Sequence, residues 1–336
     1  MNGILDFTPS GLYCRQGDFH IDPRQPVGRA IITHAHADHA RAGSSSYLCS
    51  QDSELLLRSR LGHDTKIETL EYGEKLTINS VNISLHPAGH ILGSSQVKIE
   101  VNGQICVVSG DYKTEPDPTC APLEFLRCHI FISESTFGLP IFRWPPAEQV
   151  IEEIETWWRG NRKQGRTSVL FAYSLGKAQR ILAGLDSSIG PILTHGAVEK
   201  INRCYRDLDV GLPETRYIGE FEERDLPQGA LVIAPPSADN PAWMHRFPIH
   251  SRAFASGWMR IRGNRRRRSL DRGFILSDHS DWNGLVRTIA ASGAEKILLT
   301  HGYASEMARW LQEKGYNAEA IPASNDDPAS IDGDNA

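Results

Sequence analysis

The sequence predicts an α/β chain built in two parts. Three observations lead there. Residues 28–135 alternate short apolar, β-branched runs with turn residues, which is the pattern of sheet strands. From residue 146 apolar strands alternate with amphipathic helical stretches, as in a small parallel α/β unit. From residue 272 strands that end in polar residues and histidine return, each followed by a helix.

Taken in order, "VGRAIITHAH" carries a β-branched segment into a histidine cluster. "SQDSELLLRSRL" reads as a helix started by Ser50 or Asp52. "INSVNISLHPAGH" and "SQVKIEVNGQICVVSGDY" read as strands, the second a hairpin turning at Asn102-Gly103. "CHIFISEST" is a further buried strand with a polar end. "PAEQVIEEIETWWRGNRK" is amphipathic, with Pro146 well placed at a helix start. "TSVLFAYSLGKAQRILAGL" reads as a strand, a turn at Gly176 and a helix; "GPILTHGAVEKINRCY" repeats the pattern and "GALVIAPPSAD" adds a strand. "RGFILSDHSDW" and "AEKILLTHGY" are the late strands, followed by helices in "WNGLVRTIAASG" and "SEMARWLQEKG". The tail "SNDDPASIDGDNA" is polar and acidic, and disorder is expected there.

A chain of 336 residues can bury a substantial core in two modest domains or one large one. Its 40% hydrophobic and 23% charged residues are ordinary for a soluble globular protein. A net charge of -5 excludes overall basic character, so any argument for a nucleic-acid partner rests on local charge. No apolar stretch reaches the roughly 18 residues of a membrane span, and no membrane partner is expected. The start, "MNGILDFTPSGLYC", lacks the basic region and long apolar run of a signal peptide. Cys14, Cys49, Cys106, Cys120, Cys128 and Cys204 are scattered with no CxxC pair, against a disulfide framework and a zinc ribbon. A reducing cytoplasm is the expected location.

"ITHAHADHARAG", residues 32–43, packs His34, His36, Asp38 and His39 into six positions after a predicted strand. Imidazole and carboxylate suit zinc, manganese or iron. Two histidines two apart can share one metal while Asp38 and His39 face another. His90 in "PAGHILGSS", Asp111 in "SGDY" and His301 in "LLTHGY" each follow an apolar run beside a small residue. Open α/β sheets place their sites at such strand ends. A lone histidine after a strand is usually structural, and His20, His63, His129, His245 and His250 are read that way.

HxHxDH followed by a distant GH, a GD and a final HG resembles the metallo-β-lactamase fold. That resemblance implies an αββα sandwich with two divalent metal ions. His34, His36 and His90 would hold one, Asp38, His39 and His301 the other, and Asp111 would bridge. Zinc is the expected metal, with manganese or iron as alternatives. Two such metals can activate a hydroxide and clamp a phosphoryl displacement. "SESTFG" (133–138) resembles the ESTYG motif of the β-CASP nucleases, the branch that includes ribonuclease J and the polyadenylation endonuclease. "FAYSLGKAQRIL" (171–182) resembles that branch's FALGRAQE segment, and "LSDHSDW" (276–282) its SAHxD motif. The likeness runs from residue 28 to about 310. It implies that Glu134 orients a histidine or ligand, and that His279 binds the scissile phosphate and protonates the leaving oxygen. It further implies a discontinuous metallo-β-lactamase domain over 1–145 and 269–323, a small parallel α/β β-CASP insert over 146–268, and a tail over 324–336.

Local charge points to a polyanion. Residues 252–272 hold eight arginines and one aspartate. Arg260, Arg262, Arg265, Arg266, Arg267 and Arg268 are the candidate nucleic-acid contacts, since arginine forks suit phosphate oxygens. Trp258 can stack a base or belong to a core. "SLGKAQR" is not a P-loop, because Phe171 stands where the first glycine is required and Ala178 replaces Ser/Thr. Ser174, Lys177 and the backbone that opens the helix still read as candidate phosphate contacts. The compact form, "GLYCRQGDFHIDP" and "HGAVEKINRCY" look most like the bacterial ligase-associated DNA exonucleases. That likeness implies DNA repair beside an ATP-dependent DNA ligase and a helicase. His301 pulls toward RNA, because RNA-processing members of the branch carry histidine where the crosslink-repair DNA nucleases tend to have valine. The expected function is a metal-dependent DNA exonuclease. The alternatives are an RNA-processing nuclease, a small-molecule metallo-hydrolase of esters, thioesters or lactams, and a non-catalytic binding subunit.

Overall fold

A computed structural model of the chain describes residues 3–261, 263–264 and 269–321. Two compact units emerge. Among the described residues, one takes in 3–142 and 279–321; the other lies within Arg143–Asp278. Arg262, Arg265 to Arg268 and the expected tail lie outside the described residues.

The first unit contains two sheets. One has the order β1 (Asp6–Thr8), β2 (Gly11–Cys14), β3 (Phe19–Ile21), β4 (Ala30–Ile31), β5 (Tyr47–Ser50) and β6 (Ile67–Leu70). β1 to β3 form an antiparallel meander, and β3 to β6 pair in parallel. The other sheet uses β7 (Lys75–Ile78), β8 (Val81–Pro87), β9 (Ser95–Val101), β10 (Gln104–Val108), β11 (Ile130–Glu134), β18 (Lys296–Thr300) and β19 (Ala318–Ala320). Its order is β19-β18-β11-β10-β9-β8-β7, and β10, β11, β18 and β19 run parallel.

Alternation along the strands sorts this second sheet's side chains. Cys106 and Val108 of β10, with Ile130 and Ile132 of β11, join a core that also holds Ile21, Ile31 and Leu48 of the first sheet. Val107 and Phe131 point the other way. They meet Leu285 and Ile289 of helix Trp282–Ser292, and Met307 and Leu311 of helix Ala304–Glu313. The two sheets therefore face each other, with helices on the far side of the second.

Two local readings change. Asn102 and Gly103 do turn the β9–β10 hairpin, at φ of 49° and 79°, in the left-handed region that two-residue hairpins demand. "INSVNISLHPAGH", however, is not one strand. Asn79 and Ser80 take φ of 47° and 64°, and Ile78 pairs with Val81, so a second hairpin sits there. Neither Ser50 nor Asp52 starts the helix Glu54–Leu61: a 3-10 turn over Gln51–Ser53 intervenes, and the Ser50 hydroxyl donates to Gly93 O.

The second unit is one sheet covered on both faces. Its strands are β12 (Thr167–Phe171), β13 (Ile192–Thr194), β14 (Arg216–Tyr217), β15 (Leu231–Ala234), β16 (His250–Ala255) and β17 (Arg272–Phe274), in the order β14-β13-β15-β12-β16-β17. All its pairings are parallel. Helix Ala147–Lys163 follows Pro146 and buries Val150, Ile154 and Trp158 at helical spacing against Leu170, Leu231 and Ala253. Val169, Phe171, Val232 and Phe254 face the opposite core with Phe247 and Met244. Central parallel strands buried on both faces need apolar runs of this kind. β16 was not legible as a strand inside the arginine-rich stretch. β17 pairs with it, so residues 269–278, which the sequence reading joins to the first domain, lie in this unit.

Trp158 is fully buried, and its indole Nε1 donates to Gly229 O at 2.9 Å. Trp158→Ala is expected to cost about 3–5 kcal/mol of stability. Urea unfolding followed by circular dichroism checks this; an unchanged midpoint would contradict the packing described.

Candidate metal centre

The first unit gathers its histidines and carboxylates where strands end. His34 to His39 follow β4, His90 follows β8, Asp111 follows β10, Glu134 ends β11 and His301 follows β18. β8, β10, β11 and β18 run in one direction, so their last residues share one edge of the sheet.

His34, His36, His90 and Asp111 are buried and form one group in which one ligand atom from each lies within 4.8 Å of the others. His34 Nε2 and His90 Nε2 are each 3.1 Å from His36 Nδ1. Asp111 Oδ2 lies 3.5 Å from His34 Nε2 and 3.8 Å from His90 Nε2. Nitrogens about 2.0–2.1 Å from a tetrahedral ion stand roughly 3.3 Å apart, so this donor set fits a divalent metal. Thr33 Oγ1 donates to Asp22 Oδ2 at 2.6 Å and lies 3.1 Å from His34 Nδ1. With its proton committed to Asp22, the hydroxyl accepts from Nδ1–H, leaving the lone pair of His34 Nε2 turned to the cluster.

Asp38, His39 and His301 stand beside this group. His39 Nε2 is 3.5 Å from Asp111 Oδ2 and 3.6 Å from Asp38 Oδ2. The His39 and His301 rings are 5.5 Å apart. Asp111 therefore lies 3.5 Å from a nitrogen in both halves of the constellation. Asp38 Oδ1 is buried with no hydrogen-bond partner, a position a cation would satisfy.

The electrostatics fit the same occupant. Burial works against charge on His39, but Asp38, Asp111 and Asp22 outweigh it and push its pKa up to about 10. Burial, with the neighbouring histidines, holds His34 well below the usual imidazole value, and burial followed by His39 lowers His301 to about 4. Burial raises Asp111 to about 7, against the pull of His39. His34 and His301 are thus held neutral while the carboxylates draw positive charge onto His39, a demand that a divalent ion would meet by taking the place of the His39 proton.

Two features of the backbone build this pocket. Gly110, before Asp111, has φ of 56°, and a Cβ there would lie 2.7 Å from Thr33 Cβ. Gly302, after His301, has φ of 54°, and a Cβ would come within 2.4 Å of Thr136 Cα. His301 itself sits at φ of 58°, a strained conformation for a non-glycine residue and one met at functional sites.

A second group, Asp111, Glu134 and His279, shares the Asp111 carboxylate with the first. His279 Nδ1 lies 2.9 Å from Glu134 Oε2 and 3.1 Å from Oε1, and Tyr112 N donates to Oε1 at 2.7 Å. Those bonds occupy Glu134 as an orienting carboxylate. Burial acts to raise its pKa, but His279 more than reverses this and holds it low. Tyr112 O accepts from Ser280 N at 2.8 Å, so one residue ties both Glu134 and the neighbour of His279.

The sequence reading missed Asp22. Its Oδ2 accepts from His39 Nδ1 at 2.7 Å, and its Oδ1 from Thr33 N at 2.8 Å. A carboxylate behind a ligating histidine fixes its tautomer and orientation. The available signal was "HIDP", a carboxylate at the end of a strand like the other ligands.

The expected phosphate contacts are placed differently. Lys177 is buried, with Nζ 3.4 Å from Asp278 Oδ2 and 4.4 Å from the centroid of the Tyr173 ring. Its ammonium is committed inside the second unit, and Ser174 is buried there too. Arg260 ends the 3-10 turn Gly257–Arg260 and is exposed.

No family model matches the chain. It is 35% identical over 319 residues to a probable DNA ligase of Opitutus terrae, covering 94% of this chain and 31% of that protein. It is 29% identical over 192 residues to the endoribonuclease ysh1 of Aspergillus fumigatus, covering 53% of this chain and 21% of that one. The chain thus spans about a third or less of the length of these curated relatives. A crystal structure of a protein of unknown function from Enterococcus faecalis superposes with a TM-score of 0.61 at 11% identity, over 89% of this chain and 80% of that one. At that identity the likeness is one of fold, a mixed α/β architecture with several sheets. The chain's homologues thus include Ysh1 endoribonucleases of the β-CASP metallo-β-lactamase family, and its histidine–aspartate cluster fits a metallo-β-lactamase site.

Among the described residues no helix is long and apolar enough to cross a membrane. Asp22→Ala is expected to weaken binding of a divalent metal about 10- to 100-fold. Competition with a chromogenic chelator checks this; unchanged affinity would remove the supporting role of Asp22.

Proposed function

We propose that the chain is a metal-dependent nuclease that hydrolyses phosphodiester bonds, with DNA as substrate and exonucleolytic action. The observation that carries this reading is the sharing of Asp111 between a histidine-rich metal group and the Glu134–His279 pair. A small-ester hydrolase needs the first and has no evident use for the second. In this reading the first unit is the metallo-β-lactamase-type domain and the second the β-CASP-type insert.

His34, His36 and His90 would hold one divalent ion, Asp38, His39 and His301 a second, with Asp111 between them; zinc is the metal proposed. Bound there, such ions would supply Lewis acidity and lower the pKa of water. The protein's own groups do the rest. A water oxygen bonds to phosphorus as the P–O bond to the leaving nucleotide breaks. The water gives up a proton to solvent, and His279, as the imidazolium that the Glu134 carboxylate stabilises through Nδ1–H, delivers its Nε2 proton to the departing oxygen. Arg260 and the arginines from 262 to 268 attract the backbone. DNA is supported by the relative named as a probable DNA ligase; work beside an ATP-dependent DNA ligase in repair is part of this reading on the resemblance of the sequence motifs. A helicase partner rests on the resemblance alone. An RNA-processing reading keeps the same chemistry and is favoured by His301 and the Ysh1 relatives.

Zinc- or manganese-loaded protein, given 5′- and 3′-labelled single-stranded DNA and RNA beside a chromogenic ester, tests the proposal. Release of mononucleotides from DNA ends is expected, lost with chelator and regained with metal. Ester turnover with both nucleic acids intact would overturn it. His279→Ala should lower kcat about 10²- to 10⁴-fold with substrate binding retained; an unchanged rate removes its role. Alanine at Arg265 to Arg268 should flatten the salt dependence of DNA binding, and an unaltered slope would deny that run a backbone contact.

A further inference from the structure

We infer that Lys177 and Arg180 are positioning residues for His279, acting on the two residues that precede it. The inference rests on the reading of His279 as the general acid. Lys177 and Arg180 are one turn apart on helix Lys177–Gly184, and both are buried, at 2% and 6% exposure. Two buried cations on one short helix need compensation. Lys177 finds it in Asp278 Oδ2, at 3.4 Å, and in the face of Tyr173. The Arg180 guanidinium donates through Nη1 to the carbonyl oxygen of Ser277.

The helix that presents them is itself fixed. Gln179 Oε1 accepts from Gly176 N at 2.8 Å, while its Nε2 donates to Ser174 O at 3.0 Å and to Asn202 Oδ1 at 2.8 Å. Ser277 and Asp278 are thus held by their backbone and side chain respectively, both at most 3% exposed. His279 follows by one peptide bond. On its other side Ser280 N is bonded to Tyr112 O, and Asp281 Oδ1 accepts from Gly284 N at 2.7 Å to cap the next helix. The residues on either side of His279 are thus each held by contacts of their own.

The contacts belong to this chain. Asp278 stands where the SAHxD motif has alanine, and Arg180 where FALGRAQE has glutamate. Neither basic group needs a phosphate to account for it. A proton donor misplaced by about 1 Å costs on the order of 10²-fold in rate, so anchoring of this kind has a measurable consequence.

The test uses the metal-loaded full chain and two substrates. Single-stranded DNA has a poor leaving group that needs an acid; bis(p-nitrophenyl) phosphate releases a phenolate that does not. His279→Ala should lose far more on DNA than on the nitrophenyl ester. Lys177→Met should follow it, with kcat on DNA down about 10- to 100-fold, KM little changed and the nitrophenyl rate largely kept. Lys177→Arg, which keeps the charge, should restore DNA cleavage. Asp278→Asn, which keeps the lysine, is read the same way if Lys177→Met does not fold. Equal losses on both substrates for the Lys177 and Asp278 variants, with His279→Ala behaving as expected, would overturn the positioning role. So would a rise in KM alone, which would make Lys177 a phosphate contact. Equal losses for His279→Ala itself would instead refute the acid, and the positioning inference with it.

Discussion

One carboxylate organises the first unit's functional edge. Asp111 Oδ2 lies 3.5 Å from a nitrogen of both His34 and His39, 3.8 Å from His90 and 4.0 Å from His279. Burying a carboxylate among imidazoles is costly unless positive charge accompanies it. Asp38, Asp22 and Glu134 add to the demand, since they stand within reach of the same histidines. A divalent cation meets it at one stroke, and the donor set, the orphaned Asp38 oxygen and the raised His39 all agree on that occupant.

The sheet supplies the frame. β8, β10, β11 and β18 bring His90, Asp111, Glu134 and His301 to a common edge because they run the same way. Apolar side chains on both faces of β10, β11 and β18 lock the register, so the polar residues that follow have little freedom. Gly110 and Gly302 allow the approach to Thr33 and Thr136 that a side chain would forbid. The strain held at His301 is then offset by the packing around it.

Much of this was legible in the sequence because it is local. Three histidines and an aspartate in six residues, and a ligand beside a glycine after each apolar run, are visible without coordinates. The helix over Ala147–Lys163 and the Asn102-Gly103 hairpin were equally plain, one from period and cap, the other from turn chemistry. What failed to show depends on distant pairings. β16 hides among arginines because its burial comes from β12 and β17, not from its own composition. Asp22 gains its meaning only when β3 and β4 pair and bring it under His39. The Lys177–Asp278 ion pair joins residues 101 positions apart and is likewise invisible in the sequence. The second hairpin at Asn79-Ser80 has weaker turn chemistry than Asn-Gly and was absorbed into a strand.

The central claim is that Asp111 is shared between two bound ions. Anomalous X-ray diffraction from crystals of the zinc-loaded protein, recorded on either side of the zinc absorption edge, tests it most directly. The account predicts two peaks flanking the Asp111 carboxylate, one against His34, His36 and His90 and one against Asp38, His39 and His301. A map with no peak within coordination distance of Asp111 would contradict it.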